Sequence, residues 1–221
     1  MNQRSAISHI NKNGALLVFP LNNRKEPHSL WSAFFPRKKL RWEWDESGDN
    51  RVFDMWTLMK RLSENKSVVY SKWYQGRATF FSRELFTALV CLMHAVGNVE
   101  EALSHEARDL LDVLEQDSPL STKELKKATD LQGRLNEAHY NRGMKMLFQR
   151  LLIVGFGEVD DGAFPSLAVG ATKLIYEDLW TEALGLKPKE ALETVERFFP
   201  QGSPFRKAFE KTRAEVEGKN G

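Results

Sequence analysis

The sequence predicts an α+β protein, in which a winged helix-turn-helix follows an α+β unit and precedes C-terminal helices. Three helical segments lie between residues 107 and 152, and two strand-like runs come next. The runs Ile153–Val159 and Ala163–Val169 are separated by Asp160-Asp161-Gly162, and Asp-Gly between two such runs is a hairpin signal. Three helices and then a hairpin is the element order of a small domain that most often reads DNA.

The three helices have sequence signals of their own. The first covers Ala107–Gln116. The second opens at Ser121, whose hydroxyl can accept from the amide of Glu124 while the Glu124 carboxylate reaches back, which is a capping box. The third has Asn136 as its predicted N-cap and runs to about Leu152.

The third helix is amphipathic. Tyr140, Met144, Leu147 and Leu151 recur at helical spacing and are expected to pack inward. Side chains on its other face and in the preceding segments are donors of the kind that reach phosphates and base edges. The predicted DNA-binding residues are Lys126, Lys127, Arg134, His139, Arg142, Lys145 and Gln149. The alternative is a solvated helix face, because many winged helices bind proteins and make no base contacts.

The sequence before residue 104 indicates an α+β unit, and a degenerate second winged helix is an alternative interpretation of it. Its expected elements are a strand in Gly14–Phe19, a helix over Val52–Glu64, strands at Ser67–Trp73 and Gly76–Phe81, and a helix capped by Ser82. In the first of these helices Phe53, Trp56, Leu58, Met59 and Leu62 are expected to face mostly inward.

After the hairpin the chain reads as helical. The expected helices are Thr172–Leu184, Pro188–Phe199 and a charged one from Pro204 to about Glu217. The predicted division is therefore an N-terminal unit (1–103), a winged helix-turn-helix (104–170) and a C-terminal helical segment (171–221).

The stretch Trp31–Trp44 interleaves aromatic with basic residues and has two interpretations. Such a stretch suits stacking on unpaired bases, with an apolar wedge that supports base flipping. Alternatively the aromatic rings fill the core of the first unit while the charges are solvated, because six tryptophans must be buried somewhere.

Composition excludes several classes of protein. The net charge of +2 means that nucleic-acid affinity must come from local patches. A single cysteine, Cys91, excludes an intramolecular disulfide, and the five histidines show no metal-ligand spacing. The polar N-terminus predicts no signal peptide, and no apolar run approaches the length of a membrane span. We therefore expect a cytoplasmic protein that binds double-stranded DNA, with no membrane, metal or small-molecule cofactor.

Two stretches carry a family resemblance. The succession Lys66-Ser67-Val68-Val69-Tyr70-Ser71-Lys72-Trp73 and then Gly76 to Phe86 resembles the AlkZ-related bacterial winged-helix proteins. The predicted winged helix from Leu110, ending in Glu177-Asp178-Leu179-Trp180, fits the same pattern. These are relatives of the AlkZ and YcaQ alkyl-DNA glycosylases, and the resemblance implies DNA binding and a link to DNA repair. The glycosylases carry a Gln-x-Gln or Gln-x-Asp catalytic motif, which this chain lacks. The resemblance therefore assigns no catalytic residue.

Three hypotheses for function follow. The first is a DNA-binding winged-helix protein without catalysis. The second is a DNA glycosylase of the AlkZ and YcaQ type whose catalytic acid is not assigned. The third is a winged helix that binds other proteins.

The missing glutamine motif generates a prediction: the protein should not excise alkylated bases efficiently. Excision needs a flipped base in a pocket and a positioned group that activates water or stabilises the sugar cation. The assay incubates a duplex containing N7-alkylated guanine with the protein and then cleaves abasic sites with alkali. Strand cleavage well above a protein-free control would contradict the prediction.

Overall fold

The computed structural model describes residues 1–41, 50–159 and 166–220, and within them the chain is a mixed α+β protein. The described helices are α1 Gln3–Asn13, α2 Leu30–Phe34, α3 Arg51–Ser63, α4 Arg83–His94, α5 His105–Gln116, α6 Thr122–Ala128, α7 Glu137–Gln149, α8 Thr172–Ile175, α9 Glu177–Gly185, α10 Pro188–Phe198 and α11 Pro204–Asn220. The described strands are β1 Ala15–Leu17, β2 Val68–Tyr74, β3 Arg77–Ser82, β4 Leu120–Ser121, β5 Ile153–Val159 and β6 Ser166–Ala171.

The strands form a single antiparallel sheet in the order β1-β3-β2-β5-β6-β4. Strands β1 to β3 come from the N-terminal region, and β4 to β6 come from the region after residue 104. The two halves meet where β2 pairs with β5, in a register that sets Tyr70 opposite Gly155. The sheet is therefore continuous across the predicted boundary between the first two segments.

Apolar side chains cover both faces of the sheet. Along β2, Val69 belongs to one hydrophobic cluster, and its neighbours Val68 and Tyr70 belong to the other, as the alternation of a strand requires. The smaller cluster contains residues of α1, α2 and α3. The larger cluster contains residues of α4, α5, α7, α9, α10 and α11, so it joins all three predicted segments. The division into these segments stays a prediction.

The predicted helix over Val52–Glu64 is confirmed as α3, but the prediction of which side chains face inward is partly wrong. Met55, Leu58 and Leu62 are buried, whereas Phe53 is 50% exposed and Trp56 is 38% exposed. Phe53 lies on the side of the helix opposite the buried line, because Met55, Leu58 and Leu62 follow i, i+3 and i+7.

The segment from α5 to β6 contains the predicted helices and strands. Ser121 and Glu124 form the expected capping box at the start of α6. Asn136 precedes α7, but its side chain does not cap the helix: its backbone, with φ −91° and ψ −7°, is not in the extended conformation usual for an N-cap. Its amide group donates to the carbonyls of Asp130 and Gln132. The helix ends at Gln149, before the predicted Leu152. The predicted turn Asp160-Asp161-Gly162 lies outside the described residues, as do residues 163–165 of the second predicted strand.

The predicted single helix over Thr172–Leu184 is wrong, because the structure has two helices, α8 and α9, that meet at Tyr176. Tyr176 leaves helical geometry, with φ −127° and ψ 56°. Its buried hydroxyl donates to the carbonyl of Val68 at 2.8 Å, so the ring anchors the C-terminal helices to β2.

Within the basic aromatic stretch, the described residues support the core interpretation. Trp31 is 2% exposed, and its indole nitrogen donates to the carbonyl of Lys38 at 3.0 Å. Phe34 and Phe35 pack against the same cluster. The cationic side chains Arg37, Lys38, Lys39 and Arg41 are exposed. Trp42 and Trp44 lie outside the described residues.

The junction of the two half-sheets generates a stability prediction. A Cβ on Gly155 would overlap Cδ1 of Tyr70 and lie 2.6 Å from Cε1 of the same ring. Because Tyr70 is 4% exposed, the ring has little room to move, and Gly155→Ala should lower the free energy of unfolding by about 1–3 kcal/mol. Urea denaturation followed by circular dichroism measures this change.

Gly185→Ala is the matched control, because a Cβ there meets nothing within 4 Å. It should leave the free energy of unfolding unchanged or raise it slightly, since alanine favours helix over glycine. Equal effects of the two substitutions would contradict the role given to Gly155.

Candidate nucleic-acid interface

Helix α7 has one buried and one exposed face. Tyr140, Met144 and Leu147 are 5%, 7% and 0% exposed, as predicted. Gly143 brings the helix close to α5, because a Cβ there would lie 2.7 Å from Cδ1 of Leu110. The opposite face is in solvent and includes the exposed side chain of Arg142. The packing of α7 therefore fixes which of its side chains can meet a partner.

One end of α7 is linked to α6 by an ion pair. The ammonium of Lys126 lies 2.6 Å from the carboxylate of Glu137 and 4.5 Å from the centre of the Tyr140 ring. This hydrogen bond lowers the pKa of Glu137. The charge of Lys126 is thus satisfied within the protein, whereas Lys127, one residue later, is exposed.

A second cluster joins α7 to the start of α5. His139 Nδ1 lies 2.8 Å from the carboxylate of Glu106, and Arg142 Nη2 lies 3.1 Å from the same nitrogen. Nδ1 can serve one of these partners at a time, and the shorter contact assigns its hydrogen to Glu106. The hydrogen bond from His139, with further bonds from the Glu106 amide and Ser104, lowers the pKa of Glu106 to about 2. Glu106 therefore keeps a negative charge beside Arg142 at neutral pH.

The other flank of α7 borders a cleft of about 940 Å³, which we call the lysine cleft. Its walls are α7, the turn between β2 and β3, and α11. Residues from α7 are Asn141, Lys145 and Gln149, those from the end of β2 and the following turn are Trp73, Tyr74, Gln75 and Gly76, and those following α10 are Gly202, Pro204, Lys207, Ala208, Lys211, Thr212 and Glu215. Among these lining residues three lysines stand against a single carboxylate, so the cleft suits an anion.

A smaller cleft of about 240 Å³ continues the lysine cleft towards β6. The two share Gly76, Asn141 and Lys145, and the smaller one adds the exposed Lys72 of β2. Cations therefore line a connected surface along this flank of α7.

Aromatic packing holds α11 beside the β2–β3 turn. The rings of Trp73 and Phe199 stack at 6.2 Å with an angle of 16° between their planes. Phe205, in the first turn of α11, lies 5.9 Å from Trp73 and meets Tyr74 edge-on at 5.0 Å. Lys207 and Lys211 follow one helical turn apart, so this anchor sets both ammonium groups along the cleft.

The predicted DNA-binding residues fall into three groups. Lys145 and Gln149 line the lysine cleft, whereas His139 and Arg142 lie on the α5 side with Glu106. Arg134 and Lys127 are exposed outside the cleft, and Lys126 is paired with Glu137. Sequence reasoning missed Lys72, Lys207 and Lys211. The spacing of the last two on one helix face was a signal, but nothing in the sequence set that face against α7.

The described residues hold no group of three or more His, Cys, Asp or Glu side chains arranged to bind a metal ion. Within the same ranges, no helix has both the length and the apolar character that crossing a bilayer needs.

The fold and the site together define a class of protein: a mixed α+β chain with a six-stranded antiparallel sheet and a lysine-lined cleft beside α7. A family model described as "AlkZ related" matches residues 1–211, and the chain belongs to this AlkZ-related family, as its sequence indicated. No curated protein and no solved structure matches the chain.

The contact between α5 and α7 generates a prediction about charge. Because the His139 hydrogen bond is the largest cause of the low pKa of Glu106, His139→Ala should raise that pKa from about 2 towards the ordinary value of about 4.3. Carbon-detected NMR titration of the glutamate carboxyl groups measures it. Arg142→Ala is the control and should leave the value near 2. A Glu106 pKa that stays near 2 without His139 would show that the contact is not its cause.

Proposed function

We propose that this protein binds double-stranded DNA in a process connected with DNA repair, and that residues 104–170 act as a winged helix-turn-helix with α7 as its recognition helix. As the sequence leads us to expect, we take the protein to be cytoplasmic and to need no cofactor. Membership of the AlkZ-related family supports the connection with repair.

The order of elements supports the winged helix. Helices α5, α6 and α7 precede the antiparallel pair β5 and β6, and the short strand β4 pairs with the outer side of β6. In DNA-binding proteins built this way the third helix enters the major groove, while the paired strands contact the flanking backbone.

The observation that carries the proposal is the division of α7 into a packed face and a cationic exposed face. Arg142 and Lys145 are exposed on the face opposite the buried Tyr140 and Leu147. Both are donors suited to phosphates or guanine edges, and both project from a helix whose position the core fixes. Glu106 and Glu137 engage His139 and Lys126, which leaves Arg142 and Lys145 as the cations of α7 expected to contact DNA.

The chain lacks the Gln-x-Gln or Gln-x-Asp motif of the glycosylases, which favours DNA binding without base excision. The sequence therefore offers no catalytic residue for the glycosylase hypothesis. A protein-binding winged helix predicts a different response to salt. Contacts with phosphates release counterions, which makes the affinity fall steeply as salt rises.

The double variant Arg142→Ala/Lys145→Ala tests the proposal. It should weaken binding to a blunt duplex and reduce the slope of log affinity against log salt by about 2, because each lost phosphate contact accounts for about 1. Fluorescence anisotropy with a labelled duplex over a range of salt concentrations measures both quantities.

Lys187→Ala/Lys189→Ala is the control, because it removes the same charge from exposed positions at the start of α10, outside the clefts beside α7. It should leave affinity and slope close to those of the unmodified protein. If the α7 variant binds the duplex as tightly as this control, α7 is not the DNA-reading helix. That result would favour the hypothesis of a winged helix that binds other proteins.

A further inference from the structure

Two different helices supply the lysines of the lysine cleft. Lys145 comes from α7, whereas Lys207 and Lys211 come from α11, and all three line one cleft of about 940 Å³. The ion pair from Lys211 to Glu215 is long, at 3.9 Å, and both side chains are exposed, so it holds the lysine weakly. A bound anionic chain would meet ammonium groups from both helices.

The width of a duplex excludes it from this space. The major groove of B-DNA is about 12 Å wide and admits a whole α-helix, so the duplex itself is much wider than one helix. It can lie against the outer face of α7, where Arg142 is exposed, whereas a cleft of about 940 Å³ is too small to contain it. Clefts of about 300–1,000 Å³ take ligands of drug size, and a few linked nucleotides of one strand fit this scale.

The floor of the cleft indicates how such a strand would be held. The aromatic residues that line it are buried, with Trp73 2% and Tyr74 6% exposed. Exposed ring faces for base stacking are therefore missing among these floor residues. The accessible groups are lysines and the amides of Gln75 and Asn141, which suit phosphates and sugars in any sequence.

The cleft continues beyond α11. A third cleft of about 490 Å³ shares Gly202 and Pro204 with it and is lined by Lys12, His28 and Arg197 among others. Arg197 is paired with Glu84, and Glu26 also lines this space, so its positive character is weaker. Of these two neighbouring clefts, the lysine cleft therefore has the stronger positive character.

We propose that the lysine cleft holds a few nucleotides of an unpaired DNA strand that leaves the duplex bound on α7. This inference rests on the proposed function and extends it from plain duplex to DNA with a junction between paired and unpaired segments. Lys207 and Lys211 hold the phosphates of the unpaired strand from α11, and Lys145 of α7 contacts the DNA where this strand leaves the duplex.

The test compares a blunt duplex with a forked duplex that has the same paired sequence and short oligo-thymidine arms. The unmodified protein should bind the fork about tenfold more tightly, and Lys207→Gln/Lys211→Gln should remove this preference while leaving the affinity for the blunt duplex unchanged. For the fork, the variant should also reduce the salt slope by about 0.7 per lysine, the value for single strands. Lys187→Ala/Lys189→Ala should retain the preference.

Three other outcomes would each contradict the inference. If the unmodified protein binds both DNAs equally, the inference fails while the proposed function stands. If the α11 variant loses affinity for both DNAs alike, its lysines belong to the duplex site and the inference is wrong. If the unmodified protein does not bind the blunt duplex at all, the proposed function fails and the inference fails with it.

Discussion

The pairing of Tyr70 with Gly155 is the constraint on which the rest of the architecture depends. It joins β2 to β5 and so converts two separate three-stranded arrangements into one sheet. The tyrosine ring occupies the space that a side chain at position 155 would need, which is why the junction requires glycine. Tyr176 strengthens it by donating from α9's N-terminal boundary to the carbonyl of Val68, two residues from Tyr70.

The same junction creates the candidate site. Once β2 lies beside β5, the turn that follows β2 comes next to α7, although more than sixty residues separate them in the chain. Trp73 and Tyr74 at the end of β2 then provide the aromatic surface on which Phe205 fixes α11. The lysine cleft thus depends on three contacts between segments that are distant in sequence: β2 with β5, the β2–β3 turn with α7, and the end of β2 with α11. The hydrophobic core that forms these contacts also holds the walls of the cleft in place.

The two flanks of α7 differ in their charged neighbours. On the α5 flank, Glu106 keeps a negative charge next to His139 and Arg142. On the other flank, Lys145 lines the same cleft as Lys207 and Lys211, with Glu215 as the carboxylate among the lining residues. A chain with a net charge of only +2 can therefore still present a local positive field, because three lysines and a single carboxylate are among the residues that line this cleft.

The sequence by itself determined the elements whose causes are local. The capping box of Ser121 and Glu124, the buried line Tyr140-Met144-Leu147 and the strand Ile153–Val159 all depend on residues close in the chain, and the structure contains each of them. Tertiary contacts decided the rest. Phe53 faces solvent because α3 turns another side inward, and Tyr176 interrupts a helix because its hydroxyl reaches β2. The lysine cleft could not be predicted for the same reason: periodicity shows which residues share a helix face, whereas only the folded sheet decides which two faces meet.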